Sequence, residues 1–356
     1  MNGPGTAPVR AAYLLPRTMR RWSADELWIW AERAAALGLN TVFAKLSLLD
    51  TERVRILQAA GLRVFGSFAC YSDHDVLVPA TVPFARPVDA EGHEFAPMEW
   101  YRGIAPTSSA YDEHLIAELT AQLGDRGSAR VDGVFLDFLR WPLHWELELR
   151  EGATPRDSSY DPATVALFAA GLGAQAPSSP VAAADWIGAR HPHEWRRFRR
   201  DIIVRIAGRL AEVVRSHDAA VGMFLVPGTA AQLQDLVGQD VRRLAEIVDL
   251  IAPMTYHAIQ HRSPQWPADY ARDLPVDPER LLPMIQITAA QEYAGANDWG
   301  PSVTAEDLEV AVRGMLDADR PFRGFCLFPG EALGSDERAA VRRALATITS
   351  TTKEDK

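Results

Sequence analysis

Eight short apolar runs of β type alternate with amphipathic helical patterns along this chain, and that alternation leaves few folds open to it. The runs cover residues 10–15, 41–46, 63–70, 133–139, 221–226, 250–254, 284–288 and 324–328. Helical patterns fill the gaps at 24–37, 51–60, 111–123, 194–216, 231–247, 268–272, 305–318 and 336–348. Two of them open on capping boxes, Ser23-x-x-Glu26 and Thr304-x-x-Asp307. Strands that are apolar throughout are covered on both faces, which is the mark of a parallel sheet. Eight such units predict a closed (β/α)8 TIM barrel, because an open doubly wound sheet rarely needs so many. No glycine-rich phosphate loop follows the first strand, so a dinucleotide-binding fold has no motif behind it. The expected organisation is one barrel domain, 1–350, and a polar tail, 351–356.

Connections from helix into strand are short, whereas several that leave strands are long: 71–110 after the third strand, 141–193 after the fourth, 256–267 after the sixth and 289–303 after the seventh. In a barrel of this kind the long loops gather at the carboxyl ends of the strands and build the pocket there. The two longest carry many rings, with Trp100 and Tyr101 in the first and Trp141, Trp145, Tyr160 and Trp186 in the second. Rings interspersed with His and carboxylates suit sugars, whose C–H faces stack while their hydroxyl edges hydrogen-bond. The same rings would equally serve as the loops' own hydrophobic cores. Residues 174–184, rich in Ala, Pro and Ser, read as a loop tip or linker, and the basic run 196–200 as a solvated, ion-paired helix face. His191-x-His193 reads as the entry to the helix that follows.

With 356 residues, 47% of them hydrophobic, the chain can bury a large core, and its net charge of -10 argues against nucleic acid or an anionic membrane as partner. A small or neutral partner is expected, and a homo-oligomer is left open. Cys70 and Cys326 are the two cysteines, far apart, which indicates buried thiols rather than a disulfide framework or a cysteine zinc site. Residues 1–10 contain no hydrophobic signal region, and no run of about 18 apolar residues occurs, so a cytoplasmic location is expected. Of the 37 cationic side chains only three are Lys, and Lys45 is the one outside the polar tail. A chain that otherwise writes its cations as Arg has reason to keep an ammonium for its shape or its adjustable pKa.

The chemistry centres on the fourth strand, Val131-Asp-Gly-Val-Phe-Leu-Asp137-Phe-Leu-Arg140-Trp-Pro142. Burying a lone carboxylate in such a run costs several kcal/mol, so Asp137 is either paired, with Arg140 the near cation, or kept for chemistry at the strand end. The other polar residues at strand ends are Tyr13, Lys45, Tyr71 with Asp73, Thr255-Tyr256-His257, Gln286 with Thr288, and Glu331. No G-x-S-x-G elbow is present. His74, His257 and His261 could join Asp73 or Asp137 around a metal, but no strand end carries H-x-H or H-E-x-x-H spacing, so no metal or other cofactor is expected.

The fourth-strand segment, taken with Val248-Asp-Leu-Ile-Ala-Pro-Met-Thr-Tyr-His257, resembles the glycoside-hydrolase-like TIM barrels. Their fourth strand reads D-G-[IV]-x-[LF]-D-[FY]-[IVL]-R-[YWF]-P and their sixth D-x-[IV]-x-P-M-x-Y. Tyr160-Asp-Pro-Ala-Thr-Val-Ala-Leu-Phe168 and Trp195-Arg-Arg-Phe-Arg199 resemble the loop and the helix that follow in the same group. The same two strands are distantly similar to chitinase-type barrels, with three departures: Leu139 stands at the position of the general-acid Glu, Phe135 at that of the first Asp, and His257 at that of the Asp after Tyr256. Asp137 is also placed like the strand-four nucleophile of amylase-type barrels.

The resemblance implies a glycosidase or related carbohydrate-active enzyme acting on a small-molecule or oligosaccharide glycoside. Such cleavage normally needs two carboxyl groups, about 5–5.5 Å apart for retention and about 6.5–9.5 Å for inversion. Asp137 is expected as nucleophile or electrostatic stabiliser and Glu331 as acid/base, ahead of Asp73 and Glu292. Lys45, Tyr71, Asp73, Trp100, Arg140, Trp141, Tyr256, His257, Gln286 and Glu292 are the expected substrate-binding residues. The alternatives are a Schiff-base lyase or aldolase built on Lys45, and a sugar-binding barrel without catalysis.

Overall fold

The computed structural model describes residues 7–73, 78–124, 130–316 and 321–354, so His74 lies outside the described residues. Eight strands run in parallel: β1 (Val9–Tyr13), β2 (Thr41–Lys45), β3 (Arg63–Ala69), β4 (Gly133–Asp137), β5 (Ala220–Leu225), β6 (Leu250–Pro253), β7 (Met284–Gln286) and β8 (Gly324–Phe328). Their order is β6-β5-β4-β3-β2-β1-β8-β7. The seam between β6 and β7 is closed more sparsely, by the bridge Ile251–Leu281, a hydrogen bond from Leu282 N to Ile251 O of 2.9 Å, and one from Thr255 Oγ1 to Met284 O of 2.8 Å. The result is the (β/α)8 barrel that the alternation predicts.

Residues of alternating parity point into a barrel, and here the inward set is marked by contacting rings. Phe43 and Phe65 stack at 5.3 Å, Phe135 meets Phe43 edge-on at 4.8 Å, and Phe224 lies 5.4 Å from Phe135. Each such ring contributes about 1.5–3 kcal/mol by leaving water. Gly222 makes room for them, since a Cβ there would stand 2.3 Å from the Phe135 ring. On β4 the inward residues are therefore Gly133, Phe135 and Asp137. The carboxylate stands directly above the phenylalanine layer, while Val134 and Leu136 face the surrounding helices.

Ser23 and Thr304 cap their helices, Ala24–Ala36 and Ala305–Met315, in complete capping boxes, as the spacing requires. Three segments differ from expectation. The pattern at 231–247 is two helices, Ala230–Asp235 and Val241–Ile247, because Gly238 adopts φ +69° and its missing Cβ would come 2.7 Å from Trp141. The supposed linker at 174–184 runs into a helix, Pro180–Arg190, capped by Ser179. With a further helix, Pro162–Gly171, it builds a satellite core around Tyr160, Phe168, Ile187, Trp195 and Trp186. Arg199, in the run expected to be solvated, is fully buried; its guanidinium donates to Asp157 and to the carbonyls of Asp235 and Leu236. Cys70 and Cys326 are buried free thiols. Among the described residues no helix is long and apolar enough to cross a membrane.

Candidate functional site

Register puts the polar residues of neighbouring strands on one level. Lys45, the last residue of β2, pairs with Ser67 of β3, and Asp137, the last of β4, pairs with Ala69, the last of β3. Tyr13, the last of β1, reaches Ser67 through a hydroxyl–hydroxyl contact of 3.1 Å. Above this level opens a cavity of about 330 Å³ at the carboxyl end of the barrel. Its floor is the inward set, with Tyr13, Lys45, Ser67, Asp137, Phe224, Met254, Met284 and Phe328 all contributing.

Asp137 faces this space and accepts a hydrogen bond from the main-chain N–H of Phe138 to Oδ1 at 2.8 Å. That donor is aimed by an unusual backbone: Phe138 has φ +50°, in the left-handed region, and its ring stacks on Tyr101 at 5.1 Å. Burial raises the Asp137 carboxyl from 3.8 to about 6, against the Phe138 hydrogen bond and the cations Arg140 and Lys45, which all favour the charged form.

A second buried carboxylate lines the same cavity. Glu146 sits in the short helix Trp145–Glu148 and accepts a hydrogen bond from Trp100 Nε1 at 3.1 Å, while Gln260 Nε2 holds the helix by the carbonyls of Trp145 and Glu146. Burial raises its proton affinity first, Arg140 and Trp100 oppose, and the charge on Asp137 raises it further. Glu146 thus feels the charge of Asp137. An exposed carboxylate at the rim, Glu99, is occupied by Asn297 Nδ2 at 2.9 Å and Ala296 N at 3.2 Å.

Rings form the remaining wall. Trp145 lies 5.9 Å from Tyr256, Tyr256 stacks on Phe328 at 4.6 Å, and Trp299 lies 5.5 Å from Phe328. The cavity is therefore two-faced, with carboxylates on the β4 side and a nearly continuous aromatic surface across β6 and β8.

Of the residues singled out from the sequence, Tyr13, Lys45, Trp100, Asp137, Trp145 and Tyr256 line the cavity together. The others stand behind it or outside it. Tyr71 is buried and donates to Asp112 at 2.7 Å, and Asp73 is paired with Arg86 at 2.9 Å. Arg140 is buried, donates to Leu143 O at 2.9 Å and lies 4.7 Å above the Tyr101 ring, so it reaches Asp137 only through its field. Trp141 is packed in the core with Nε1 donating to Arg199 O at 3.0 Å. His257 is buried away from the cavity and burial pushes it down to about 4. Gln286 ties loops together, accepting from Ile259 N at 3.0 Å and donating to Trp299 O at 3.1 Å. Glu292 is exposed beside the cavity residue Tyr293.

Glu331 does not line the cavity either. Its oxygens accept from Thr18 Oγ1 at 2.5 Å and Leu15 N at 3.3 Å, which satisfies the first turn of the helix Pro16–Arg21, a helix whose own N-cap, Leu15, has no side-chain acceptor. The residues missed by sequence reasoning are Glu146, Glu99, Trp299, Tyr293 and Arg17. Glu146 carried one weak signal, its place beside Trp145 a few residues after the fourth-strand motif. Among the described residues no group of three His, Cys, Asp or Glu is placed to hold a metal ion.

No family model and no curated protein matches the sequence. Solved structures match over nearly the whole chain. The PgaB (BpsB) glycoside hydrolase domain from Bordetella bronchiseptica is 14% identical, with 94% of this chain and 98% of that one covered, at a TM-score of 0.65. The catalytic domain of β-amylase from Paenibacillus polymyxa is 8% identical, with 96% and 98% covered, at 0.62. A class V chitinase from Pseudomonas fluorescens is 11% identical, with 95% and 100% covered, at 0.52. At such identities the likeness is one of fold.

Proposed function

We propose that this chain is a glycoside hydrolase whose carboxylate pair is Asp137 and Glu146. The observation that carries the reading is that two buried acids, each with a raised proton affinity and one of them, Glu146, raised in part by the charge of the other, line one ring-walled cavity at the carboxyl end of the barrel. The glycoside hydrolase fold of the structural neighbours supports it.

The environments divide the work. Asp137, beside Lys45 and with a fixed N–H donor, is the acid that ionises near neutrality. It attacks the anomeric carbon or activates water. Its charge favours the protonated form of Glu146, which donates that proton to the leaving oxygen as the C–O bond breaks. Tyr256, Phe328, Trp145 and Trp299 offer faces on which sugar C–H groups stack, and Lys45 and Ser67 offer hydrogen bonds to hydroxyls.

The test is a panel of aryl glycosides assayed with wild type, Asp137→Asn and Glu146→Gln. Wild-type turnover of at least one glycoside, lost in both variants without loss of folding, is the expected result. Turnover that survives Asp137→Asn would overturn the assignment.

A further inference from the structure

The helix Pro16–Arg21 leaves the top of β1 and forms part of the cavity rim, and Arg17 and Arg20, three residues apart and so on one face, both line the cavity. The helix is held in place on several sides. Glu331 takes its first-turn donors, Met19 is buried in the core, and Arg53 donates to Met19 O at 3.3 Å. Arg17 is thus presented by a fixed support, half-buried, with its guanidinium carbon 5.4 Å from the centroid of the Tyr293 ring.

Arg17 combines a place in the cavity wall with an unpaired donor. Several buried or half-buried guanidinium groups meet carboxylates, Arg86 with Asp73, Arg199 with Asp157 and Arg150 with Asp298, while Arg140 is turned away from the cavity onto main-chain carbonyls. Arg17 makes no ion pair among the described residues, and its Nη2 is shielded from water with no hydrogen-bond partner among them. A guanidinium carries five N–H donors in a planar fork that fits the oxygens of a carboxylate, sulfate or phosphate, and leaving a donor dry and unpaired is unfavourable. The ring of Tyr293 further strips water from the cation, so an arriving anion has less hydration to displace there. β1, which carries this helix, lies three strands from β4, which carries Asp137, so the cationic rim and the acidic pair occupy different parts of the cavity.

We propose that this rim is an anion subsite and that the substrate is an acidic sugar. The glycan carries a carboxylate, sulfate or phosphate group that Arg17 grips through paired N–H donors while Arg20 adds charge. The proposal rests on the hydrolase reading for the bond that is cleaved, but the subsite is a matter of binding and is tested by binding.

The experiment is calorimetric titration of the full chain with D-glucuronate, glucose 6-sulfate, glucose 6-phosphate and D-glucose, for wild type, Arg17→Gln, Arg17→Lys and, as a control on the same helix, the exposed Arg21→Gln. At least one anionic sugar is expected to bind ten times or more tighter than glucose, with the preference lost in Arg17→Gln, partly kept in Arg17→Lys and unchanged in Arg21→Gln. Which anion is preferred identifies the group. Equal binding of charged and neutral sugars, or a preference that persists in Arg17→Gln, overturns the subsite, whatever the aryl glycoside panel shows. An Arg17-dependent preference in a protein that turns over no glycoside upholds the subsite and removes the hydrolase reading instead. Should Arg17→Gln fail to fold, the Arg17→Lys titration decides, because a point charge cannot reproduce the paired donors: an undiminished preference there counts against the subsite.

Discussion

The top of β4 and the top of β8 carry carboxylates at similar addresses, yet the two groups are employed differently. Asp137 closes β4 with one backbone donor and an open cavity in front of it, whereas Glu331, three residues past the end of β8, has its oxygens taken by Thr18 and Leu15. Burial raises the proton affinity of both. A perturbed carboxyl at a strand end is thus no guide to chemistry by itself. What separates the two is whether the lone pairs are already spent, and only the fold around them decides that.

Activity separates the two carboxyl groups most. Asp137→Asn is expected to lower kcat/KM on the productive glycoside by about 10³-fold or more, Glu146→Gln by about 10²–10⁴-fold as a lost proton donor, and Glu331→Gln to leave the proposed pair in place. A Glu331→Gln variant as inactive as Asp137→Asn would erase the distinction.

Stability moves the other way. For Asp137 the folded state holds the proton more tightly than the unfolded chain, so its charge works against folding above pH 6, and that cost vanishes as the pH falls below about 4. From 3.8 to about 6 the cost is about 3 kcal/mol at pH 8. Asp137→Asn should therefore melt higher than wild type at pH 8 and no higher at pH 4. Glu331→Ala should melt lower at pH 7, by an amount corresponding to about 0.5–2 kcal/mol, the worth of a lost helix cap. Thermal scans at pH 4, 7 and 8 check both. The same titration sets the acid limb of the pH–rate profile: kcat/KM should fall about tenfold per pH unit below pH 6 as Asp137 takes up its proton.

How much of this was legible beforehand follows from where each residue sits. The strands were readable because continuously apolar segments cannot be anything but covered, and Asp137 and Lys45 were readable because each is the lone charged group near the carboxyl end of such a segment. Tyr256 and Trp100 came with the sixth-strand motif and with a ring-rich loop. Beyond the strand ends period and parity no longer apply. Arg140 and Trp141 follow Asp137 in one motif, yet the left-handed turn at Phe138 sends both into the core behind it. Glu146 lies in a fifty-residue excursion, and its place in the cavity depends on contacts with Gln260 and Trp100, more than a hundred residues on and about fifty residues back. Glu331 misled for the converse reason: the helix it serves, Pro16–Arg21, begins with a residue that has no side-chain acceptor, which in sequence shows only as a missing signal.

The smallest expected effect is also the most selective, because it alters a single donor. Trp100 Nε1 is the side-chain donor to Glu146, and Trp100→Phe keeps a ring in the wall while removing that hydrogen bond. A carboxylate that loses a donor is less stable as the anion, so its proton is held to higher pH. The basic limb of kcat/KM, where Glu146 gives up the proton it must donate, should move upward by less than about one pH unit, in keeping with about 1 kcal/mol for one hydrogen bond. The acid limb set by Asp137 should stay near 6. A shift of the acid limb instead would exchange the roles of the two carboxylates, and a profile unmoved at both ends would take Glu146 out of the proton transfer altogether.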